Sequence, residues 1–301
     1  MGFGLFLSHT LLRASDPLLK GSILICHGLF GSKQNWKSIS QALHRMACGN
    51  ICLVDLRNHG MSPHSLDMSY FAMAQDVAKI VDELDLQDVC LVGHSMGGKV
   101  AMCAALLEPE RFSRLMVVDS SPAYTSKANK IMPYLQLMMN VDFVQAKRES
   151  DGTLLGIRQW LFDTWKKDIP DETMRRFLLT NLEQREGECE WRVNLRAIAA
   201  CWHHIVGFPD NELQGLTFSN PTIFVAGGRS DYVTLSDFPK IHRYFPQARL
   251  LTVEGAGHWV HVDDPHSVLH LITAFVKGSS EKPLLNGVVD LTDKGLALIG
   301  T

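Results

Sequence analysis

The chain alternates short apolar runs with longer segments in which apolar residues recur every three or four positions. Near-continuous apolar runs are typical of strands buried on both faces of a sheet. Such runs lie at residues 23–26, 51–54, 89–92, 115–118, 222–226 and 250–253, with a candidate edge strand within residues 5–12. Helical patterns lie at residues 36–46, 70–84, 97–107, 238–244 and 265–276. This alternation predicts an α/β fold in which helices flank a mostly parallel central sheet.

The alternation stops between residues 122 and 216, where helical patterns follow one another at 129–146, 154–165, 172–182 and 191–206. The segment contains no convincing strand run and is too long for a bare loop. We therefore predict a core formed by residues 1–121 and 217–277, with residues 122–216 inserted as a helical lid. Residues 278–301 form a C-terminal tail whose apolar positions suggest packing but assign it no role.

Composition narrows the class of protein. The 301 residues are 46% hydrophobic and 20% charged, with a formal net charge of -3, which is ordinary for a globular enzyme and gives no general attraction to nucleic acid. No apolar run approaches the roughly 20 residues that span a bilayer, so we expect no transmembrane segment. The seven cysteines include no Cys-x-x-Cys pair, so we expect no metal site. Cys26, Cys52 and Cys90 lie in apolar runs and are predicted to be reduced core residues of an intracellular protein.

The sequence GHSMG at residues 93–97 joins the apolar run 89–92 to the helical pattern that follows it. This is the G-x-S-x-G pattern in a strand–turn–helix setting, which is typical of a nucleophile elbow. A serine hydroxyl becomes an effective nucleophile only when a neighbouring base takes its proton. We therefore predict that Ser95 is a catalytic nucleophile.

The predicted base is His258, in the sequence GAGHW just after the last core strand; His261 is a weaker candidate. The third member of the triad is an acid that orients the imidazole. Asp231 follows the strand at 222–226, and Asp119 follows the strand at 115–118. Both aspartates keep the order serine, acid, histidine expected for this architecture, and we favour Asp231 with Asp119 as the alternative.

Acyl chemistry at a serine also needs two backbone amides to stabilise the oxyanion of the tetrahedral intermediate. The residue after the nucleophile, Met96, supplies one such amide. We assign the other to Leu29, in the glycine-containing loop HGLFGS at residues 27–32. In the following loop, DLRNHG at residues 55–60, we expect Asp55 and Arg57 to form hydrogen bonds that brace the bottom of the site.

Four motifs together resemble the α/β-hydrolase superfamily: HGLFGS at 27–32, DLRNHG at 55–60, GHSMGGK at 93–99 and GAGHW at 255–259. A fifth, WRVNL at 191–195, matches one narrower group of that superfamily. Within the superfamily, the chain is similar from residue 5 to residue 276 to the group of abhydrolase domain-containing protein 11 and its bacterial esterase relatives. The resemblance implies a serine esterase for short or medium acyl esters or thioesters, with no metal or organic cofactor. It also implies a mitochondrial location, with the cytoplasm as the alternative. Some bacterial relatives use the acid that matches Asp119, so both acids stay open.

The sequence thus predicts a serine hydrolase whose partner is a small-molecule acyl ester or thioester. Two alternatives remain: an acyltransferase with the same machinery, and a non-catalytic binding protein that keeps the fold as a scaffold. Dehalogenases and epoxide hydrolases of this fold need a carboxylate nucleophile, whereas position 95 is serine. No sequence feature specifies an oligomeric state.

Overall fold

The structure is a computed structural model that describes residues 4–16, 18–19, 21–125, 130–278 and 285–299. Its strands are β1 (His9–Leu12), β2 (Gly21–Cys26), β3 (Asn50–Val54), β4 (Gln87–His94), β5 (Phe112–Val118), β6 (Leu182–Arg185), β7 (Glu188–Trp191), β8 (Thr222–Gly227), β9 (Ala248–Val253) and β10 (Val288–Asp290). Eight of them form one sheet in the order β1-β3-β2-β4-β5-β8-β9-β10. The six inner strands are parallel, and β1 and β10 pair antiparallel at the two edges.

The helices, in chain order, are α1 (Lys37–Arg45), α2 (Tyr70–Glu83), α3 (Met96–Leu107), α4 (Met132–Met139), α5 (Phe143–Arg148), α6 (Leu154–Thr164), α7 (Glu172–Leu179), α8 (Leu195–Ala200), α9 (Trp202–Val206), α10 (Phe238–Tyr244), α11 (Val260–Asp263), α12 (Pro265–Val276) and α13 (Thr292–Ala297). Two buried apolar clusters lie on the two faces of the sheet. Alternate side chains of β2, β4 and β5 belong to one cluster or the other, because successive residues of a strand point to opposite faces. The predicted α/β fold with a mostly parallel sheet is confirmed. Among the residues described, no helix is long and apolar enough to cross a membrane.

The segment between β5 and β8 contains α4 to α9 and is called the insertion below. The sequence predicts no strand there, and this is wrong, because β6 and β7 form an antiparallel hairpin. Its strands are short and mostly polar, so they lack the apolar run that marks a core strand. The hairpin turns through Glu186 and Gly187, both with positive φ.

The helix expected at 129–146 is two helices, since α4 ends at Met139 and α5 starts at Phe143. The Asp142 side chain accepts hydrogen bonds from the first amides of α5, which fixes this break. Residues 126–129, including the start of that predicted helix, lie outside the described residues.

The tail has a structural role that the sequence left unassigned, although residues 279–284, 300 and 301 lie outside the described residues. Strand β10 extends the sheet beside β9, and the Asp290 carboxylate pairs with Arg249 of β9 at 2.6 Å. Helix α13 then packs on α10: a Cβ added at Gly295 would lie 2.4 Å from the Phe238 ring. The tail therefore covers the edge of the sheet that β9 would otherwise expose.

The seven cysteines all fall within the described ranges, and none forms a disulfide. Those of the core strands, Cys26, Cys52 and Cys90, are buried, as predicted. Burial raises the pKa of each of these three thiols, because a thiolate is poorly solvated in the core.

Candidate active site

Ser95 lies at a sharp corner between the last residue of β4 and the first residue of α3. Its backbone adopts φ 53° and ψ -118°, and its N–H donates to the carbonyl of Val118 at 3.0 Å. Both flanking glycines are required by close backbone approach. A Cβ at Gly93 would lie 2.2 Å from the carbonyl oxygen of Gly97, and a Cβ at Gly97 would lie 2.4 Å from that of His27. The local sequence therefore builds the sharp serine corner that G-x-S-x-G predicts.

A chain of hydrogen bonds leads from this serine to a buried carboxylate. His258 Nε2 lies 3.0 Å from Ser95 Oγ, and His258 Nδ1 lies 2.6 Å from Asp119 Oδ2. Asp119 is fully buried. Its Oδ1 accepts the N–H of Gly227 at 3.0 Å, and its Oδ2 also accepts the hydroxyl of Ser230. The carboxylate is thereby held in one orientation against the imidazole.

This geometry reverses the sequence preference for Asp231 over Asp119, because the carboxylate on His258 Nδ1 is that of Asp119. Asp231 instead lies in the wall of the adjacent cavity. The physical reason is the order of strands: β5 lies directly beside β4, whereas β8 lies one strand further away. Chain order fits both acids, and only the spatial order of the strand ends separates them.

The loop predicted to hold the oxyanion lies against Ser95. A Cβ added at Gly28 would be 3.3 Å from Ser95 Cβ and 2.9 Å from His94 Nδ1, so this glycine lets the backbone approach the serine. Leu29 lines the cavity beside Ser95. Met96 is the first residue of α3, where amides have no acceptor within the helix. Both candidate amides therefore belong to segments that adjoin Ser95.

Two further histidines lie near the imidazole of His258. The His94 Nε2–H donates to the carbonyl oxygen of His258 at 2.9 Å, with the two ring centroids 4.9 Å apart. The ring of His261 stacks on Trp36, with centroids 4.4 Å apart. Burial lowers the pKa of His94 well below its usual range and that of His261 to about 3. His261, the weaker candidate base, therefore stays neutral and packs in the wall, while His258 makes the contact with the serine.

The loop after β3 is braced by two ion pairs. The Asp55 carboxylate accepts from the Lys33 ammonium and from the N–H of Met61 at 2.9 Å. Arg57 binds both oxygens of Asp76, at 2.6 and 2.8 Å. These charges are matched by structural partners, which supports the bracing role expected of Asp55 and Arg57.

The family follows from the comparison with known proteins. The model of the alpha/beta hydrolase fold family matches residues 21–265. The chain belongs to this α/β-hydrolase family.

Relatives and solved structures narrow the resemblance. The sn-1-specific diacylglycerol lipase ABHD11 of Mus musculus is 40% identical over 270 residues, which cover 90% of this chain and 85% of that protein. Esterase YbfF of Escherichia coli (strain K12) is 32% identical over 256 residues, covering 84% of this chain and 92% of the esterase. The solved structure of a marine microorganism esterase superposes with a TM-score of 0.78 at 31% identity, covering 94% of this chain and all of that one. This α/β-hydrolase thus resembles ABHD11 and bacterial esterases.

A cavity of about 490 Å³ opens onto Ser95 between the core and the insertion. Its wall is mainly apolar and aromatic, with contributions from Trp36, Trp259, Tyr134, Met174 and Phe177. The last three of these come from helices α4 and α7 of the insertion. The cavity of the α/β-hydrolase therefore needs both parts of the chain, and its character suits an apolar group.

Sequence reasoning missed two side chains that contact Asp119 and His258. The Ser230 hydroxyl donates to Asp119, and the Tyr232 ring stacks on His258 with centroids 3.8 Å apart. Both flank Asp231 in the loop after β8. The sequence identified that loop as the source of the acid. In the structure the loop instead contacts Asp119, which follows β5, and His258, which follows β9. No local motif marks a serine or a tyrosine for such a contact.

Proposed function

We propose that this α/β-hydrolase is a serine hydrolase that cleaves carboxylic esters or thioesters of short to medium chain length. The observation that carries the proposal is the hydrogen-bonded series Ser95, His258 and Asp119 at the mouth of an apolar cavity. A binding scaffold needs neither a sharp serine corner nor a buried acid behind a histidine. The lipase and esterase names of the relatives support the same class of substrate.

The reaction proceeds through an acyl-enzyme. His258 Nε2 takes the proton of Ser95 as its Oγ attacks the carbonyl carbon, and Asp119 stabilises the imidazolium that forms. The N–H groups of Leu29 and Met96 stabilise the oxyanion. His258 then protonates the leaving group, which departs as the alcohol or thiol. Water next attacks the acyl-enzyme with His258 as its base, and collapse of that intermediate returns the proton to Ser95 and releases the carboxylic acid. The scheme uses no metal or organic cofactor.

Residues 122–216 are proposed to act as the lid of this site, since α4 and α7 form part of the cavity wall. A flexible or apolar acyl chain would contact Met174 and Phe177, while Ser95 reaches the carbonyl at its end. Transfer to an alcohol instead of water would pass through the same acyl-enzyme. Product analysis with an added alcohol distinguishes the two, because transfer yields a new ester.

The test is intact-protein mass after treatment with a fluorophosphonate, measured on the wild type and on Ser95→Ala. We expect one adduct on the wild type and none on the variant. Turnover of p-nitrophenyl butyrate should fall by about 10³-fold or more in Ser95→Ala. The matched control is Ser40→Ala, because Ser40 is a buried serine of α1 whose hydroxyl bonds within its own helix, to the carbonyl of Lys37.

Ser40→Ala should keep both the adduct and the turnover. Wild-type turnover in Ser95→Ala would refute the proposed function. A wild-type protein that gives neither an adduct nor turnover with any ester or thioester would favour the binding scaffold.

We also infer a mitochondrial location, from the resemblance to the abhydrolase domain-containing protein 11 group. Fractionation of cells that express a C-terminally tagged chain tests it. Recovery of the chain with the cytosolic fraction alone would contradict the inference.

A further inference from the structure

The loop beside Ser95 is held by more contacts than its short sequence suggests. Phe30 is buried and adopts φ 59°, a left-handed conformation that a non-glycine residue keeps only when its surroundings hold it there. Its N–H donates to His59 Nε2 at 3.2 Å, and its carbonyl oxygen accepts from Asn181 Nδ2 at 2.9 Å. The backbone polar groups of Phe30 are therefore bound from two different parts of the chain.

The preceding peptide is fixed as well. The carbonyl oxygen of Gly28 accepts from His27 Nδ1 at 2.8 Å and from the N–H of Gly31 at 3.0 Å. In a planar trans peptide the carbonyl and the next N–H point in opposite directions. The direction of the Leu29 N–H is therefore set by the two bonds on Gly28, and Phe30 fixes the chain on its other side.

His59 is suited to its role as an acceptor. Its Nδ1–H donates to the carbonyl of Arg57 at 3.0 Å, which leaves a lone pair on Nε2 for the amide of Phe30. Burial lowers the pKa of His59 to about 3, so the ring stays neutral and keeps that lone pair near neutral pH. This contact joins the loop after β3 to the loop after β2.

Asn181 brings the insertion to the same loop. It lies between α7 and β6 and is buried, and its Nδ2 also donates to the carbonyl of Leu178 at 3.2 Å. Its own carbonyl accepts the N–H of Arg192 at 2.8 Å, so the side chain projects from a fixed segment. A residue of the predicted lid thus reaches the backbone next to the nucleophile.

We propose that Asn181 is a positioning residue of the reaction: it holds the Phe30 peptide so that the Leu29 amide faces the oxyanion. This inference rests on the proposed function, because it needs an oxyanion at Ser95. It assigns a catalytic contribution to the insertion beyond forming the cavity wall. Binding of the ground-state ester depends on that wall, whereas the amide acts when negative charge develops.

Asn181→Leu tests the proposal, since leucine has a similar size and no donor. The matched control is Asn220→Leu: Asn220 Nδ2 donates to the carbonyl of Phe112 at 2.8 Å, at the opposite end of β5 from Asp119. Removing an oxyanion donor outright lowers kcat by about 10²-fold to 10³-fold, so a displaced donor should lower it by about 10-fold. We expect that fall in Asn181→Leu with KM within about twofold of wild type.

Inhibition by an aryl trifluoromethyl ketone gives an independent readout, because its adduct with serine carries the oxyanion. Its affinity should fall by the same factor as kcat/KM in Asn181→Leu and stay unchanged in Asn220→Leu. If the leucine variant does not fold, Asn181→Ala replaces it. The space left by alanine admits a water that can donate to Phe30, so we expect a smaller fall in kcat, again without a change in KM.

Wild-type kcat and inhibitor affinity in a folded Asn181 variant would overturn the inference, and so would an equal loss in Asn220→Leu. Failure of the proposed function looks different. Either turnover would then survive in Ser95→Ala, or the wild type itself would give neither adduct nor turnover, whatever Asn181 does.

Discussion

The substitution Asp119→Asn distinguishes the two candidate acids most directly. The N–H of Gly227 donates to Oδ1 of Asp119, so an asparagine keeps its carbonyl oxygen there and turns its NH₂ group toward His258. An amide NH₂ is a donor only, so it cannot accept the hydrogen bond of Nδ1–H. The imidazole then adopts the tautomer with its proton on Nε2, which faces Ser95 at 3.0 Å and cannot take a second one.

The expected fall in kcat of Asp119→Asn is that of losing the base while the rest of the site stays in place. Loss of the correct tautomer lowers kcat by about 10³-fold to 10⁴-fold in a serine triad. At about 1.4 kcal/mol for each factor of ten, this raises the barrier by about 4 to 5.5 kcal/mol. Asp231→Asn removes a charge from the cavity wall and leaves the hydrogen bond on His258 Nδ1, so its kcat should stay within about threefold of wild type.

The assay is kcat and KM for p-nitrophenyl butyrate at pH 7.5, with thermal unfolding of each variant as a check on folding. The reasoning is refuted by a folded Asp119→Asn that turns over at the wild-type rate. If kcat of Asp231→Asn falls by about 10³-fold, the sequence preference is restored and the acid is the residue that follows β8.

Two further predictions concern buried titratable groups. Burial lowers the pKa of His261 to about 3. Below about pH 6.5 the unfolded chain therefore binds a proton at this histidine that the folded chain does not. The free energy of unfolding falls by about 1.4 kcal/mol for each pH unit as the pH drops toward 3. His261→Phe keeps the stacking on Trp36. Its unfolding free energy, measured in urea between pH 6 and 4, should depend less steeply on pH than that of the wild type, by about that amount. An unchanged pH dependence contradicts this prediction. Lys99 Nζ donates to the Thr125 hydroxyl and to the carbonyl of Val206, each at 2.9 Å, and so ties both ends of the insertion to α3. Lys99→Met should lower the unfolding free energy by about 1 to 3 kcal/mol and speed proteolysis within residues 122–216. A variant as stable and as resistant to protease as the wild type would show that Lys99 does not hold the insertion on α3.

Local sequence was sufficient to predict where Ser95 and His258 lie. Ser95 and His258 each follow a core strand in a glycine-rich turn, and the carboxyl ends of parallel strands meet at one edge of the sheet. The apolar runs were sufficient for the six parallel strands, because a strand buried on both faces has few polar positions. Short-range pattern failed for β6 and β7, whose residues are mostly polar and pair only with each other.

Local patterns were enough to predict the fold class, the serine corner, the histidine and the loops that carry the candidate oxyanion amides. These features depend on residues close together in the chain, where strand pattern and glycine placement fix the backbone. Three contacts appear only in the folded chain: the Asp119 carboxylate on the imidazole, Asn181 on Phe30, and the tail strand on β9. Each is a contact between segments far apart in the chain, so its partner depends on which strand ends lie side by side, and no local pattern records that order.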